Sequence, residues 1–287
     1  MKTNQLTARE WVERIVLALI FLISGCLIYT VFSPFRPLLP KIPDYLGRIG
    51  LIVLLVVVTL LIRRNDRYGK YRHVFLGLLI MAIAVSVDNA LGIYLDVYLG
   101  VNSRTPIGYA IMKFNEFAVV VSVVVSLTLL TGGSLGSIYI QKGKLKLSLT
   151  IGLISFLIAA AGSIPVSFLF KAQNLSLERI LAWLPWIMIF VLANAAQEEL
   201  LFRGLFLRKL QPFFGKFLSN LMIAFVFTLL HGTVNYTIDN YVFLAVVFPL
   251  ALGWGYVMQK TDSLWGSILW HAGMDIPIML GIFSNLV

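Results

Sequence analysis

Cysteine, histidine and charge are all scarce in this chain. Cys26 is the one cysteine in 287 residues. That excludes an intramolecular disulfide, a paired-cysteine redox motif and a cysteine zinc site. Charged residues make up 13% of the chain, against about a quarter in soluble domains. A water-facing surface for a chain of this length cannot be built from so few. Acidic residues number 13 against 23 basic ones, yet no polar, basic domain exists to hold nucleic acid, so a nucleic-acid partner is not expected. The HExxH zinc-protease pattern is absent.

What is present is apolar sequence in long blocks. Hydrophobic residues reach 59%, and the mean hydropathy is +0.90. A run of about 20 apolar residues spans the hydrocarbon core of a bilayer. Continuous runs without alternation favour helices over a barrel. The expected fold is all-α, a polytopic transmembrane helical bundle of eight to nine spans: 11–33, 45–62, 73–95, 116–131, 147–170, 180–202, 217–231, 241–259 and 264–284. The first apolar block lacks a small-residue cleavage site and reads as a retained span rather than a signal peptide. Basic residues collect in alternate breaks. Arg63, Arg64, Arg67, Lys70 and Arg72 follow the second span, Lys142, Lys144 and Lys146 the fourth, and Arg208, Lys209 and Lys216 the sixth. The opposite breaks hold fewer: Arg36 and Lys41, Arg104 and Lys113, Lys171 and Arg179. With Lys2, Arg9 and Arg14 at its start, the chain is expected to place its N-terminus in the cytoplasm. A cytoplasmic (plasma) membrane is the default location.

Ionisable residues inside spans are costly and need a reason. Three clusters stand out: Gln197-Glu198-Glu199 with Arg203, Phe227 with His231, and His271 with Asp275. On a helix, Glu199 and Arg203 share a face, as do His271 and Asp275. Glu198 is rotated ~100° from Glu199 and is expected to point elsewhere, without a counter-ion. An uncompensated carboxylate in low dielectric suits a general base. Glu198, assisted by His231, would take a proton from water, while His271 and Asp275 would face the developing oxyanion. Asp275 would fix the His271 tautomer, and Gly273 and Pro277 would loosen the helix around them. Glu198, His231 and His271 are equally suited to hold a divalent metal such as zinc, and the spacing leaves both uses open. Counting ~1.5 Å per residue along each span puts Glu198 and His271 at one depth and His231 ~10 Å too far out. Gly132-Gly133-Ser134-Leu135-Gly136 fits GxSxG, but it lies in a glycine-rich break without the strand–turn–helix context that a nucleophile needs. Asp88 and Asn89, inside the third span, are read as making an interhelical hydrogen bond or lining a cavity.

The elements Glu198-Glu199-x-x-x-Arg203, Phe227-x-x-x-His231 and His271-x-x-x-Asp275 resemble the signature of the CPBP family, which includes the CAAX prenyl proteases and bacteriocin-processing or immunity (Abi) proteins. The resemblance spans roughly 180–280. It implies a helical intramembrane endopeptidase, metal-dependent or glutamate-based, with Glu198 as base, His231 as its partner, His271 and residue 275 on the oxyanion side, and Glu199 and Arg203 as supporting residues. The family commonly has Asn where this chain has Asp275. An ionised Asp cannot donate a hydrogen bond, so its oxyanion role is in question. The chain is read as a single integral membrane domain, with helices over 1–146 and the CPBP-like core over 147–287. The expected partners are the lipid bilayer and a membrane-associated peptide or protein, CAAX-type and prenylated in the sharpest version. The rival reading is a transporter or immunity factor that binds at the same polar site without cutting.

Overall fold

The computed structural model describes residues 7–32 and 38–286; Lys2, Arg36 and the end of the first expected span, 33, lie outside them. The chain is a bundle of helices, with no strand among the described residues. In order these are α1 (Ala8–Cys26, continued by a π-helical turn, Leu27–Val31), α2 (Lys41–Arg63), α3 (Arg72–Tyr98), α4 (Pro106–Leu130), α5 (Leu145–Ala161), α6 (Ser163–Ser167), α7 (Leu177–Glu198), a π-helical segment (Glu199–Gly204), α8 (Leu205–Leu230), α9 (Asn240–Thr261) and α10 (Trp265–Ser284).

Local chemistry sets the starts. Thr7 and Glu10 form a reciprocal capping box on α1. Thr105 caps α4 just ahead of Pro106, Ser176 caps α7, and the Asp239 carboxylate accepts from two backbone N–H groups of α9. Each cap satisfies amides that the helix itself leaves orphaned.

Among the described residues, seven helical runs are long and apolar enough to cross a membrane, or eight if α5 and the bent segment after it (66°) form one span. The expected sixth and seventh spans are two arms of one run, Leu177–Thr233. It bends at Gly215 (φ 70, ψ 178), where no helical conformation is possible. Lys113, expected in an outer loop, lies inside α4 instead and is buried. The run of apolar residues that marks a span has no power to exclude a buried ion pair within it.

α10 is the most enclosed candidate span, with 67% of its apolar window buried against 11% for α2. Small residues bring it close to its neighbours. A Cβ on Gly152 of α5 would stand 2.9 Å from the Gly266 Cα, and one on Gly273 would stand 2.8 Å from the Phe156 Cα. Backbones approach this closely in membranes because packing, not hydrophobic exclusion, holds helices together. Gly273 therefore tightens α10 against α5, contrary to the expected loosening, and α10 continues helically through Pro277. The helix carrying His271 and Asp275 is thus fixed from behind.

Candidate active site

The first element of the site is the junction between α7 and the π-helical segment. Here the turn widens from i→i+4 to i→i+5 bonding, a distortion frequent at functional sites. Glu199 and Arg203 are both fully buried (0% exposed), with Arg203 Nη1 donating to Glu199 Oε1 at 2.5 Å. Arg203 also donates to the Ala251 carbonyl from Nη2 and Nε, at 3.1 and 3.3 Å. Its guanidinium lies between the rings of Phe227 (4.7 Å) and Trp254 (5.2 Å). A planar, delocalised cation tolerates such stacking better than an ammonium. Phe227 thus acts as a wall for Arg203, and its ring also packs against His231 and His271.

The second element is His271 on α10. Its Nδ1 lies 2.9 Å from Glu199 Oε1, so Nδ1–H donates to a carboxylate already held by Arg203. Nε2 faces Glu198 Oε2 at 3.6 Å and Asp275 Oδ1 at 3.7 Å. The ring is stacked on Trp254, 3.9 Å away and 10° from parallel. Two expectations change. Glu198 does not point away from Glu199: the wider π turn lets the adjacent carboxylates approach opposite nitrogens of one imidazole. Glu199, not Asp275, makes the short bond that orients the ring. Asp275 shares the face of His271, as i,i+4 spacing requires, and its Oδ2 accepts from Asn194 Nδ2 at 2.9 Å.

The third element is His231, which begins a short 3-10 turn (His231–Thr233) after α8. Its Nδ1 bonds the Phe227 carbonyl at 2.9 Å, within its own helix, leaving Nε2 for other contacts. His231, Glu198 and Asp275 line one cavity of about 230 Å³, together with Asn194, Tyr236 and Lys113. His231, His271 and Asp275 also line a second, mostly apolar cavity of about 250 Å³, walled by Phe170, Phe243, Val246, Val247 and Leu250. The ~10 Å depth mismatch expected for His231 is therefore absent. That reckoning took each span to start at a membrane surface, Glu198 counted from the outer side and His231 from the inner, and the two arms meeting at Gly215 do not obey it. In the loop after His231, burial and then the charges of Asp275 and Glu198 hold the Tyr236 hydroxyl above the usual phenol range. Tyr236 is thus a protonated donor at the cavity wall.

Of the residues expected as metal ligands, Glu198 and His231 line one cavity, and His271 Nε2 faces Glu198 Oε2 at 3.6 Å. Among the described residues, no three His, Cys, Asp or Glu side chains converge so as to hold an ion. Nδ1 of each histidine is engaged, by Glu199 and by the Phe227 carbonyl, which is the second bond that ligating histidines commonly make and leaves Nε2 for a ligand. Ser134 caps a 3-10 turn (Leu135–Ile138) through Ser137, which accounts for it structurally. Asp88 lines a narrow third cavity with Tyr29, Glu116, Gln197 and Glu198. Sequence reasoning missed Asn194, Trp254 and Tyr236. An aromatic or amide side chain in or near an apolar span carries no pattern of its own, and each joins the site only through tertiary packing. Lys113 and Glu116, three apart inside an apolar helix, did carry a signal: a charged pair on one helical face.

Residues 180–277 match the family model described as type II CAAX prenyl endopeptidase, Rce1-like. The matched stretch runs from α7 into α10 and contains Glu198, Glu199, Arg203, Phe227, His231, His271 and Asp275. It agrees with the CPBP resemblance of the three motifs and supports a CAAX-type intramembrane endopeptidase acting on a membrane-associated protein. No curated protein and no solved structure matches the chain.

Proposed function

We propose that the Rce1-like segment is the catalytic core of an endopeptidase that cuts a lipid-modified, CAAX-type peptide by a glutamate-based mechanism. One observation carries this reading. Side chains from α7, from the end of α8 and from α10, distant in sequence, surround one polar cavity that adjoins an apolar one. The apolar chamber suits a lipid tail or apolar side chains, and the polar chamber suits the peptide. His231, Asp275 and Ile278 form part of both walls, so the scissile bond would lie at the partition.

In this mechanism Glu198 accepts a proton from a water molecule in the cavity as that water attacks the scissile carbonyl, and returns it to the leaving amine as the C–N bond breaks. His231, across the same cavity, orients the water through Nε2. The oxyanion develops toward His271 and the Asn194–Asp275 pair. Glu199, held by Arg203, keeps the His271 ring fixed, so that little reorganisation is needed when charge appears. The α7 amide of Asn194 supplies a donor on the side where Asp275 has none if ionised. The N-terminus lies in the cytoplasm and the membrane is the plasma membrane.

The test is cleavage of a prenylated CAAX-type peptide by purified protein in detergent, where no gradient exists to drive a transporter. Wild type should release a shortened product. Glu198→Gln should lower kcat by roughly 10²- to 10⁴-fold, the usual worth of a positioned base, with unchanged folding. Equal cleavage by wild type and Glu198→Gln would remove Glu198 from the mechanism.

A further inference from the structure

Lys113 is a cation with no part in the chemistry above, although it lines the same cavity as Glu198. It belongs to α4, outside the matched segment, and its side chain is 4% exposed. Among the described residues lining that cavity, it is the only lysine or arginine. Its Nζ donates to Glu116 Oε2 at 2.8 Å, and Glu116 Oε1 accepts from Gln197 Nε2 at 2.6 Å. Gln197 is the chain neighbour of Glu198. Two hydrogen bonds therefore tie the ammonium to the backbone that carries the base. A buried ion pair is seldom worth more than apolar packing of the same volume, so its placement on a cavity wall calls for a ligand. An ammonium has three N–H donors and suits several acceptors at once.

We propose that Lys113 binds the C-terminal carboxylate of the peptide cut at Glu198, and so selects substrates cleaved close to their C-terminus. The assignment rests on the protease reading. A CAAX box is the last four residues of a chain. A bond cut within it lies at most three residues, ~10 Å in extended form, from the carboxylate. A carboxylate does not enter a membrane-embedded cavity without a cation or several donors. In a cavity also lined by Glu198 and Asp275, which repel a carboxylate, Lys113 is the group that attracts one. Glu116 accepts from both Lys113 and Gln197, which spreads its charge over two donors and pins the ammonium at the wall. The cavity thereby reads the direction of the peptide as well as its end.

The experiment compares two prenylated CAAX-type peptides of one sequence, one with a free C-terminal carboxylate and one with a C-terminal amide. Wild type should cut the carboxylate form with kcat/KM about ten- to a hundredfold higher, the range for a hydrogen bond to a charged group. Lys113→Met alone leaves Glu116 buried and unpaired, so the informative variant is Lys113→Met combined with Glu116→Gln. It should cut both peptides with equal kcat/KM, whereas Lys113→Arg alone should keep part of the preference. A purely structural ion pair would change both rates together and leave their ratio alone. Equal rates by wild type, or a preference surviving in the double variant, overturns the assignment. No cleavage of either peptide by wild type instead sinks the protease reading and this one with it.

Discussion

Replacing Arg203 by methionine tests the construction of the site. Arg203 is fully buried, makes a 2.5 Å ion pair with Glu199 and two bonds to the Ala251 carbonyl, and is flanked by two aromatic rings. Arg203→Met keeps most of the apolar volume but leaves the Glu199 carboxylate with only the His271 imidazole as partner. Breaking one side of a buried pair costs roughly 3–5 kcal/mol. Glu199→Gln, which strands the cation instead, should cost a similar amount. Combining Glu199→Gln with Arg203→Met removes both charges, and the double variant should be less destabilised than the sum of the two, by a coupling of roughly 1–3 kcal/mol. Unfolding equilibria in mixed detergent measure all four corners of the cycle. Activity should behave differently. His271 loses its short carboxylate partner's charge in both Glu199 variants, so kcat should fall in the double variant even though its stability is largely recovered. A single Arg203→Met variant losing less than about 1 kcal/mol would show that the pair is hydrated. The account of His271 orientation would then fail.

Gly273→Leu should destabilise the protein by about 1–3 kcal/mol, the usual cost of overpacking, because its Cβ alone would stand 2.8 Å from the Phe156 backbone; a variant that unfolds like wild type would disprove the close α5–α10 contact. Asp275→Asn should keep kcat within about tenfold of wild type, since the amide still accepts from Asn194 and adds a donor on the oxyanion side, whereas Asp275→Leu should lose far more; equal losses by both would point to a need for the charge. Burial keeps the Tyr236 hydroxyl protonated past the ordinary phenol range, so wild type and Tyr236→Phe should give the same tyrosinate absorbance change up to about pH 11. The linkage has a definite sign: the folded value is raised, so the stability contribution is present below pH 10 and lost above it as the unfolded chain ionises. An extra tyrosine titrating near pH 10 in folded wild type would contradict the burial of that hydroxyl.

The parts of the fold and site legible in the sequence were those set within one helix. Apolar runs longer than the bilayer core marked the spans. Spacing of four residues paired Glu199 with Arg203, and it placed His271 and Asp275 on one face. Contacts between helices were not legible, and these decide the chemistry. Nothing in the order of residues joins Glu199 to His271, 72 positions away, or stacks Trp254 on that ring. The π-helical turn was equally hidden, because Glu-Leu-Leu-Phe-Arg has the apolar pattern of any α-helix. Its effect was to bring Glu198 back toward a histidine from which α-helical geometry turned it.

That local widening bears on how a glutamate base can exist in lipid at all. Two adjacent carboxylates on a regular helix would diverge by ~100°, and each would need its own counter-ion. Here one imidazole meets both, and the single guanidinium of Arg203 settles on Glu199. The two carboxylates thereby have unequal partners. Glu199 Oε1 is held by both Arg203 and His271, whereas Glu198 has no cation or imidazole within hydrogen-bond distance; Oε2 of each carboxylate is without a hydrogen-bond partner among the described residues. An unsatisfied buried acceptor is costly; in the proposed mechanism the one on Glu198 is where the water's proton is received. Small residues on the back of α10, from Gly266 to Gly281, hold the histidine in place.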